Sequence, residues 1–460
     1  MSKVSVIGAG LSGSLLSIYL AKRGFTVSVY EARGDMRREK VTAGRSINMA
    51  LSNRGIAALR EVGMDQYMLD AAIPMHGRMI HAVDGSVKML PYSGRTGEYI
   101  NSISRGGLNV ALIDAAEKYS NVEFHFNTPC ISYDAESGIA NFADGHSTNG
   151  EVVIATDGAG SIIRREMEKQ VSGFKSSSVF LEHGYKELHL PFRLIERFDR
   201  EQPDPFLIEK NALHIWPRNK FMMIALPNID GSFTCTLFLA HNSDSETSFA
   251  DLTTSAAVEE FFGREFPDAS AMMSSLVYDF FKNPTGDLGT VKCFPWNIGG
   301  KLLLLGDAAH AVVPFYGQGM NCAFEDVRIL DELIAGSLQN TSINAIDWQP
   351  IFERYGELRK VNTDAIADMA EENFYEMRDH VADPVFQRKR ALETKLEQNY
   401  PAYFSKYSMV TFREDLPYSQ AKQRGNAQDI FLMEICRQVN DIDELSLDEL
   451  IARLDASLES

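Results

Sequence analysis

The sequence predicts an α/β protein with a Rossmann-like opening, a β-rich middle and a helical C-terminal region. Three observations predict it. A glycine-spaced turn, Gly8-Ala9-Gly10-Leu11-Ser12-Gly13, stands between an apolar strand and a helical pattern. The chain from about Gly173 to Phe294 reads mainly as strand, and from Gly319 onward it reads almost entirely as helix. With 460 residues, the prior is about three folding units of roughly 150 residues each. A core of that size needs no disulfide or metal staple.

The elements follow in order. Lys3 to Ile7 is an apolar strand, and the helix after the turn runs to about Arg23 with Leu11, Leu15 and Ile18 on one face. Gly24 closes that helix, and Phe25 to Tyr30 is the next strand, ending at Glu31. A helix is expected near Arg54 to Val62, and strands between Pro74 and Tyr99, where Met79, His81 and Val83 alternate against Ile80 and Ala82. Gly107 to Tyr119 reads as a helix and Val122 to Phe126 as a strand. Glu151 to Ala155 is a buried strand running into Asp157-Gly158. Ala212 to Trp216, Phe221 to Leu226 and Phe233 to Leu239 are core strands, and Leu302 to Leu305 is another, ending at Gly306-Asp307. The last segment opens on a capping box, Ser446-Leu447-Asp448-Glu449, with Leu447, Leu450, Ile451 and Leu454 on one apolar face.

Composition excludes several functions. There are 45 Lys+Arg against 63 Asp+Glu, a net charge of −18. Nucleic acid and anionic lipid surfaces both call for a basic face, so neither is an expected partner. The five cysteines, Cys130, Cys235, Cys293, Cys322 and Cys436, are scattered, which suits buried, reduced thiols in a cytoplasmic protein. No metal site is expected. No apolar run approaches the ~20 residues of a membrane span. Gly8, Gly10 and Gly13 interrupt the only stretch resembling a signal peptide.

The opening turn has a specific physical logic. Gly8 permits the tight turn, Gly10 admits a pyrophosphate, and Gly13 lets helix and strand pack closely. The helix N-terminus offers N–H groups and a positive dipole end. Glu31, 18 residues beyond Gly13, can accept from a ribose hydroxyl. Dinucleotide binding follows, leaving NAD or FAD.

The later chain decides between them. Gly306-Asp307-Ala308-Ala309-His310 leads into Pro314-Phe315-Tyr316-Gly317-Gln318-Gly319-Met320-Asn321, and Asp157-Gly158-Ala159-Gly160-Ser161 precedes Arg164 and Arg165. In these three ordered motifs the sequence resembles the FAD-dependent aromatic hydroxylases, the single-component flavoprotein monooxygenases of the p-hydroxybenzoate hydroxylase fold. Longer strings narrow the likeness: Tyr30-Glu31-Ala32-Arg33, Gly44-Arg45-Ser46-Ile47-Asn48, His183-Gly184-Tyr185-Lys186 and Tyr407-Ser408-Met409-Val410 among them. They resemble the branch that hydroxylates L-kynurenine, from about Val4 to Arg424.

The resemblance implies a Rossmann-like FAD-binding domain (1-73, 100-175 and 288-330) interleaved with a β-sheet substrate domain (74-99 and 176-287). A helical C-terminal region (331-460) follows. It implies hydroxylation of L-kynurenine at C3 with NADPH and O2 through a flavin C4a-hydroperoxide, in tryptophan catabolism leading to NAD or quinolinate. Carried over, the substrate contacts fall on Arg78, Tyr92, Asn373 and Tyr407, with Phe315 and Tyr316 lining the ring pocket. The FAD contacts fall on Gly8, Gly10, Ser12, Gly13, Tyr30, Glu31, Arg33, Ala50, Arg105, Asp157, Asp307, Met320 and Asn321. Arg105 is followed by Gly106-Gly107, where relatives carry a polar or acidic residue, so its local turn is expected to differ. His310 is expected to position the loop, not to act as a base. No catalytic side chain is expected, because the chemistry is borne by the flavin. NADPH has no second fingerprint and is expected as a transient co-substrate. An element near Phe315 and the C-terminal helices is expected to close on substrate. Positive potential for these anionic ligands is expected at Arg33, Arg45, Arg78, Arg105 and the helix N-termini. A chain without a C-terminal membrane anchor, monomeric or weakly dimeric, completes the reading. Its alternatives are another hydroxylase of the same fold, or a non-catalytic binding protein like the GDP-dissociation inhibitors, which the intact motifs oppose.

Overall fold

A computed structural model describes residues 2–38, 48–193, 204–244, 247–377 and 383–459. Arg45 lies outside the described residues, as does the string 44–47.

Two large sheets organise the chain. In the first, Lys3–Ile7 pairs in parallel with Thr26–Tyr30 on one side and Val152–Ala155 on the other. Val122–His125 extends one edge, while Leu302–Leu304 and the short antiparallel Asn297–Ile298 extend the other. Helices cover such a sheet, so its strands carry near-continuous apolar runs; Val4, Val6, Val27, Val29, Val153 and Ile154 are all buried. Strand order reverses at Lys3–Ile7, so the glycine turn opens at the crevice where ligands of such sheets sit.

The second sheet has seven strands. In spatial order they are Gly286–Phe294, Lys175–Leu190, Phe233–Ala240, Phe221–Pro227, Ala212–Arg218, Gly77–His81 and Val87–Pro91. All pairs are antiparallel except Ala212–Arg218 with Gly77–His81. The chain leaves the first sheet for the second and returns twice. One face of the second sheet, with Met222 and Phe238, packs on Phe315, Tyr316 and the C-terminal helices.

The other face corrects the mainly-β reading of Gly173 to Phe294. Helices Ser255–Glu265, Pro267–Ser270 and Leu276–Lys282 lie there. Val258, Phe261 and Phe262 recur at helical spacing and bury against Trp216 and Leu237. Thr254 starts the first of these helices, its hydroxyl accepting from the Ala257 N–H at 3.2 Å.

The turn at Arg105 is a helix start. Ser104 Oγ accepts from the Gly107 N–H at 3.2 Å, so the helix begins at Arg105 and runs to Ala116. The C-terminal region comprises Trp348–Tyr375, Pro384–Asn399, Lys406–Phe412, Tyr418–Gln438 and Leu447–Glu459. The last of these buries Leu450 and Leu454 against Leu396, Leu432 and Ile435. All five cysteines are free and buried. No helix among the described residues is long and apolar enough to cross a membrane.

Candidate active site

The glycine turn behaves differently at each glycine. Gly8 sits at φ +103°, and a Cβ there would meet Thr156 O at 2.6 Å. A Cβ on Gly13 would lie 2.0 Å from Gly8 O and 2.5 Å from Thr156 Oγ1. Gly10 has nothing within 4 Å of that position, an open space before the N-terminus of helix Leu11–Lys22. That helix carries no acidic residue in its first turn, so its free N–H groups face the space.

Glu31 is buried and accepts from the Ala9 N–H at 2.9 Å and from Arg33 Nε at 2.8 Å. Burial raises its carboxyl, but the Arg33 side-chain and backbone donors pull it below the usual carboxylate range. It is therefore an anionic acceptor at the end of its strand. Tyr30 stacks on Phe142 at 4.2 Å and on His125 at 4.8 Å. Asp157 caps the helix Ile162–Gln170, its Oδ2 accepting from the Ile162 N–H at 2.9 Å. Its Oδ1 is buried with no partner on the protein. Asp307 is exposed at the first position of the short helix Asp307–His310, and Ser12 lies against Gly306 just before it.

Met320 and Asn321 stand in the first turn of Gly319–Leu338. The Asn321 side chain is already engaged: Nδ2 donates to Ala50 O (2.8 Å) and Gly317 O (2.9 Å), and Oδ1 accepts from the Ser52 N–H (2.9 Å). Its orphan backbone N–H is what remains for a ligand. Arg105 is exposed and Arg33 is paired to Glu31. An open glycine cradle, a helix end with no acid in its first turn, an anionic acceptor at a strand end and an orphaned buried carboxylate oxygen fit FAD.

These features separate binding from folding. Gly10→Ala is expected to leave the apoprotein's melting temperature unchanged and to weaken FAD binding. Gly13→Ala forces backbone apart and is expected to lower both, by about 1–3 kcal/mol or more. Flavin titration alongside thermal melts of the apoproteins checks the contrast; equal behaviour of the two variants would refute it.

A second cleft lies between the seven-stranded sheet and the C-terminal helices, lined by Arg78, Tyr316, Asn373 and Tyr407 among others. The Arg78 guanidinium lies 4.9 Å from the Tyr407 ring centre and 5.6 Å from that of Tyr92. Tyr92 and Tyr407 stack at 5.2 Å, and Tyr407 and Tyr316 at 5.6 Å. Arg78 Nε and the Tyr92 hydroxyl are buried without a protein partner. Burial raises the Tyr92 and Tyr407 phenols above their ordinary value, with Arg78 opposing, so both stay O–H donors. Asn373 Nδ2 donates to Phe315 O at 2.6 Å, which fixes the loop carrying Phe315 and Tyr316. Phe315 packs on Phe374 at 4.5 Å and on Phe238 at 4.9 Å. Beyond Asn373 and Tyr407 the wall is ionic, with Lys406 and Asp429 at 2.6 Å.

Three features escape sequence reasoning. Phe238 joins the aromatic wall, and the alternation of its strand could have found it. Glu187 faces the Arg105 side of the sheet; burial pushes its carboxyl up to about 7, and Arg105 opposes the shift. The third is a buried ionic chain under the cofactor loop. His310 Nε2 meets Asp326 at 2.6 Å, Arg359 bridges Asp326 and Glu325 at 2.6 Å each, and Arg54 meets Glu325 at 2.7 Å. His310 is thus held in the structure as a partner of Asp326.

The chain resembles known proteins along its length. Residues 1–347 match the FAD binding domain family. Kynurenine 3-monooxygenase of Myxococcus xanthus is 47% identical over 97% of this chain and 94% of that protein. The Dictyostelium discoideum enzyme of the same name is 42% identical over 98% and 96%. Among solved structures, 2-methyl-3-hydroxypyridine-5-carboxylic acid oxygenase superposes with a TM-score of 0.63 at 19% identity, covering 86% of this chain and 96% of that one. A Klebsiella pneumoniae HpxO variant in complex with FAD superposes at 0.65 and 20% identity, covering 87% and 95%, which extends the likeness of fold. With its glycine cradle, its ordered motifs and its full-length relatives, the chain belongs to the FAD binding domain family and, within it, to the kynurenine 3-monooxygenases.

Proposed function

We propose that this protein hydroxylates L-kynurenine at C3, giving 3-hydroxy-L-kynurenine with consumption of NADPH and O2. The observation that carries the reading is the Arg78–Tyr92–Tyr407 cluster, where a buried guanidinium nitrogen and a buried phenol both lack a partner. A carboxylate satisfies both, and an arginine fork suits it. An aromatic cluster of Phe238, Phe315 and Phe374 adjoins it, which suits the aryl ketone end of such a substrate, while the outer wall of the cleft is ionic.

The residues then have distinct tasks. Arg78 carries the charge for the substrate carboxylate, and Tyr92 and Tyr407 donate beside it. Phe238 and Phe315 hold the ring flat against the cofactor side and exclude water. FAD, when bound, supplies the activation of O2 and the transfer of one oxygen atom to the ring. The substrate's aniline nitrogen enriches its ortho carbon, so no group on the protein has to remove a proton first. Gly8, Gly10, Ser12, Gly13, Tyr30, Glu31, Arg33, Ala50, Arg105, Asp157, Asp307, Met320 and Asn321 are the proposed FAD contacts.

NADPH oxidation by the FAD-loaded protein, with and without L-kynurenine, tests the reading when the product is identified. L-Kynurenine is expected to accelerate oxidation and to be recovered as the 3-hydroxy product. Oxidation that ignores L-kynurenine, or recovery of unchanged substrate, would refute the substrate assignment.

A further inference from the structure

Tyr92 and Tyr407 come from opposite ends of the chain yet stack at 5.2 Å with only 10° between their planes. One buried carboxylate stands between the segments that carry them. Glu397, on helix Pro384–Asn399, accepts at Oε2 from the Gly94 N–H (2.8 Å) and the Ser93 hydroxyl (3.1 Å). Its Oε1 accepts from the Ser405 N–H at 2.9 Å. Ser93 follows Tyr92 directly. Ser405 is the N-cap of the helix Lys406–Phe412, two residues before Tyr407, and accepts from the Ser408 N–H at 3.3 Å.

Neighbouring contacts close the same seam. Gly94 packs so tightly on the Glu397 helix that a Cβ there would lie 2.4 Å from Thr394 O. Arg95 stacks over the Phe404 ring at 3.8 Å and donates to Tyr403 O and to Pro401 O. Glu397 is 4% exposed. Burial raises its carboxyl, but donors from Ser408, Gly94 and Ser405 bring it below the usual range, so it is anionic at working pH. A charged acceptor holding three donors is strong and short-ranged. It acts on the backbone beside each tyrosine and not on the rings themselves.

We propose that Glu397 is the positioning residue of the carboxylate subsite, clamping the backbones beside Tyr92 and Tyr407 so that both phenols meet Arg78. The inference rests on the proposed reading of that subsite as the holder of the L-kynurenine carboxylate.

Glu397→Gln keeps the size of the side chain, removes its charge and turns one acceptor into a donor. KM for L-kynurenine is expected to rise about tenfold, while kcat, KM for NADPH and FAD content stay within about twofold. An unchanged KM overturns the inference. So does a loss of FAD and of NADPH affinity in step with KM, since that is general loosening. Should the Gln variant fail to fold, Ser93→Ala removes one donor to Glu397, together with the acceptor of the Arg95 N–H (3.0 Å), and is expected to raise the same KM roughly two- to threefold, with the same selectivity. An unaltered KM there overturns it equally. A crystal structure of the Glu397→Gln enzyme reads the stack directly; rings retained at their present spacing overturn the clamp whatever the substrate proves to be. Wild-type enzyme that leaves L-kynurenine unchanged would instead defeat the substrate reading.

Discussion

Arg78→Ala is expected to raise KM for L-kynurenine by about 10- to 100-fold, the loss of ~1.5–3 kcal/mol of charged hydrogen bonding. Arg78 sits on strand Gly77–His81 between two tyrosine rings, and its Nε has no protein partner. Removing it costs the protein its contacts with the two rings and the substrate its principal charge. Arg78→Lys restores the charge but not the planar fork, so it is expected to recover only part of the loss. The glycine turn is untouched by either change, so FAD content should hold. Steady-state kinetics in L-kynurenine at saturating NADPH measure the effect. Unchanged KM in the Ala variant would remove Arg78 from the subsite.

Arg359→Met is expected to destabilise the fold by about 3–5 kcal/mol, the usual consequence of removing one partner from a buried ionic network. Arg359 is 4% exposed and bridges Glu325 and Asp326, which are themselves buried. Burial raises both carboxyls, yet Arg359, Arg54 and His310 hold them below the usual carboxylate range. Their contribution to stability is thus present above about pH 4, the ordinary carboxylate value, and is lost as pH falls through the depressed folded values. In the Met variant Glu325 loses its largest cation and Asp326 loses one of two, so both protonate more readily. The gap between wild type and variant should therefore be wide at pH 7 and narrow in acid. Thermal melts across that pH range check it; an equal gap at every pH would contradict the ionic origin.

The same network spans four helices. Arg54 also donates to Val410 O at 2.8 Å and lies 3.9 Å over the Tyr418 ring. Tyr418 in turn donates to Gln318, the N-cap of the helix whose first turn holds Met320 and Asn321. Arg54 and Glu397 thus secure opposite ends of the helix that carries Tyr407.

What the sequence determined by itself is local. The turn from Gly8 to Gly13 was legible because each glycine answers a backbone requirement met within a few residues of it, or against the adjacent strand. The parallel strands were legible because burial on both faces leaves mostly apolar side chains, and the last helix because its cap and apolar stripe lie in one short run. The helices between Ser255 and Lys282 were not, since aromatic residues serve strand and helix alike and only the packing face distinguishes them. The motifs and longer strings marked the family and, through it, Arg78, Tyr92 and Tyr407. They could not set these residues beside one another.

Only the tertiary structure decided the charged interior. Arg54, Glu325, Asp326, Arg359 and Glu397 lie in helical stretches whose local pattern carries no sign of a buried partner. Folding buries them and pairs residues as far apart as Arg54 and Glu325, 271 positions away. The reason is physical: a lone charge is stable in water, and a buried one only where a partner of opposite sign or a set of donors meets it. Periodicity identifies the face a residue occupies, but it carries no information about which distant segment will meet that face.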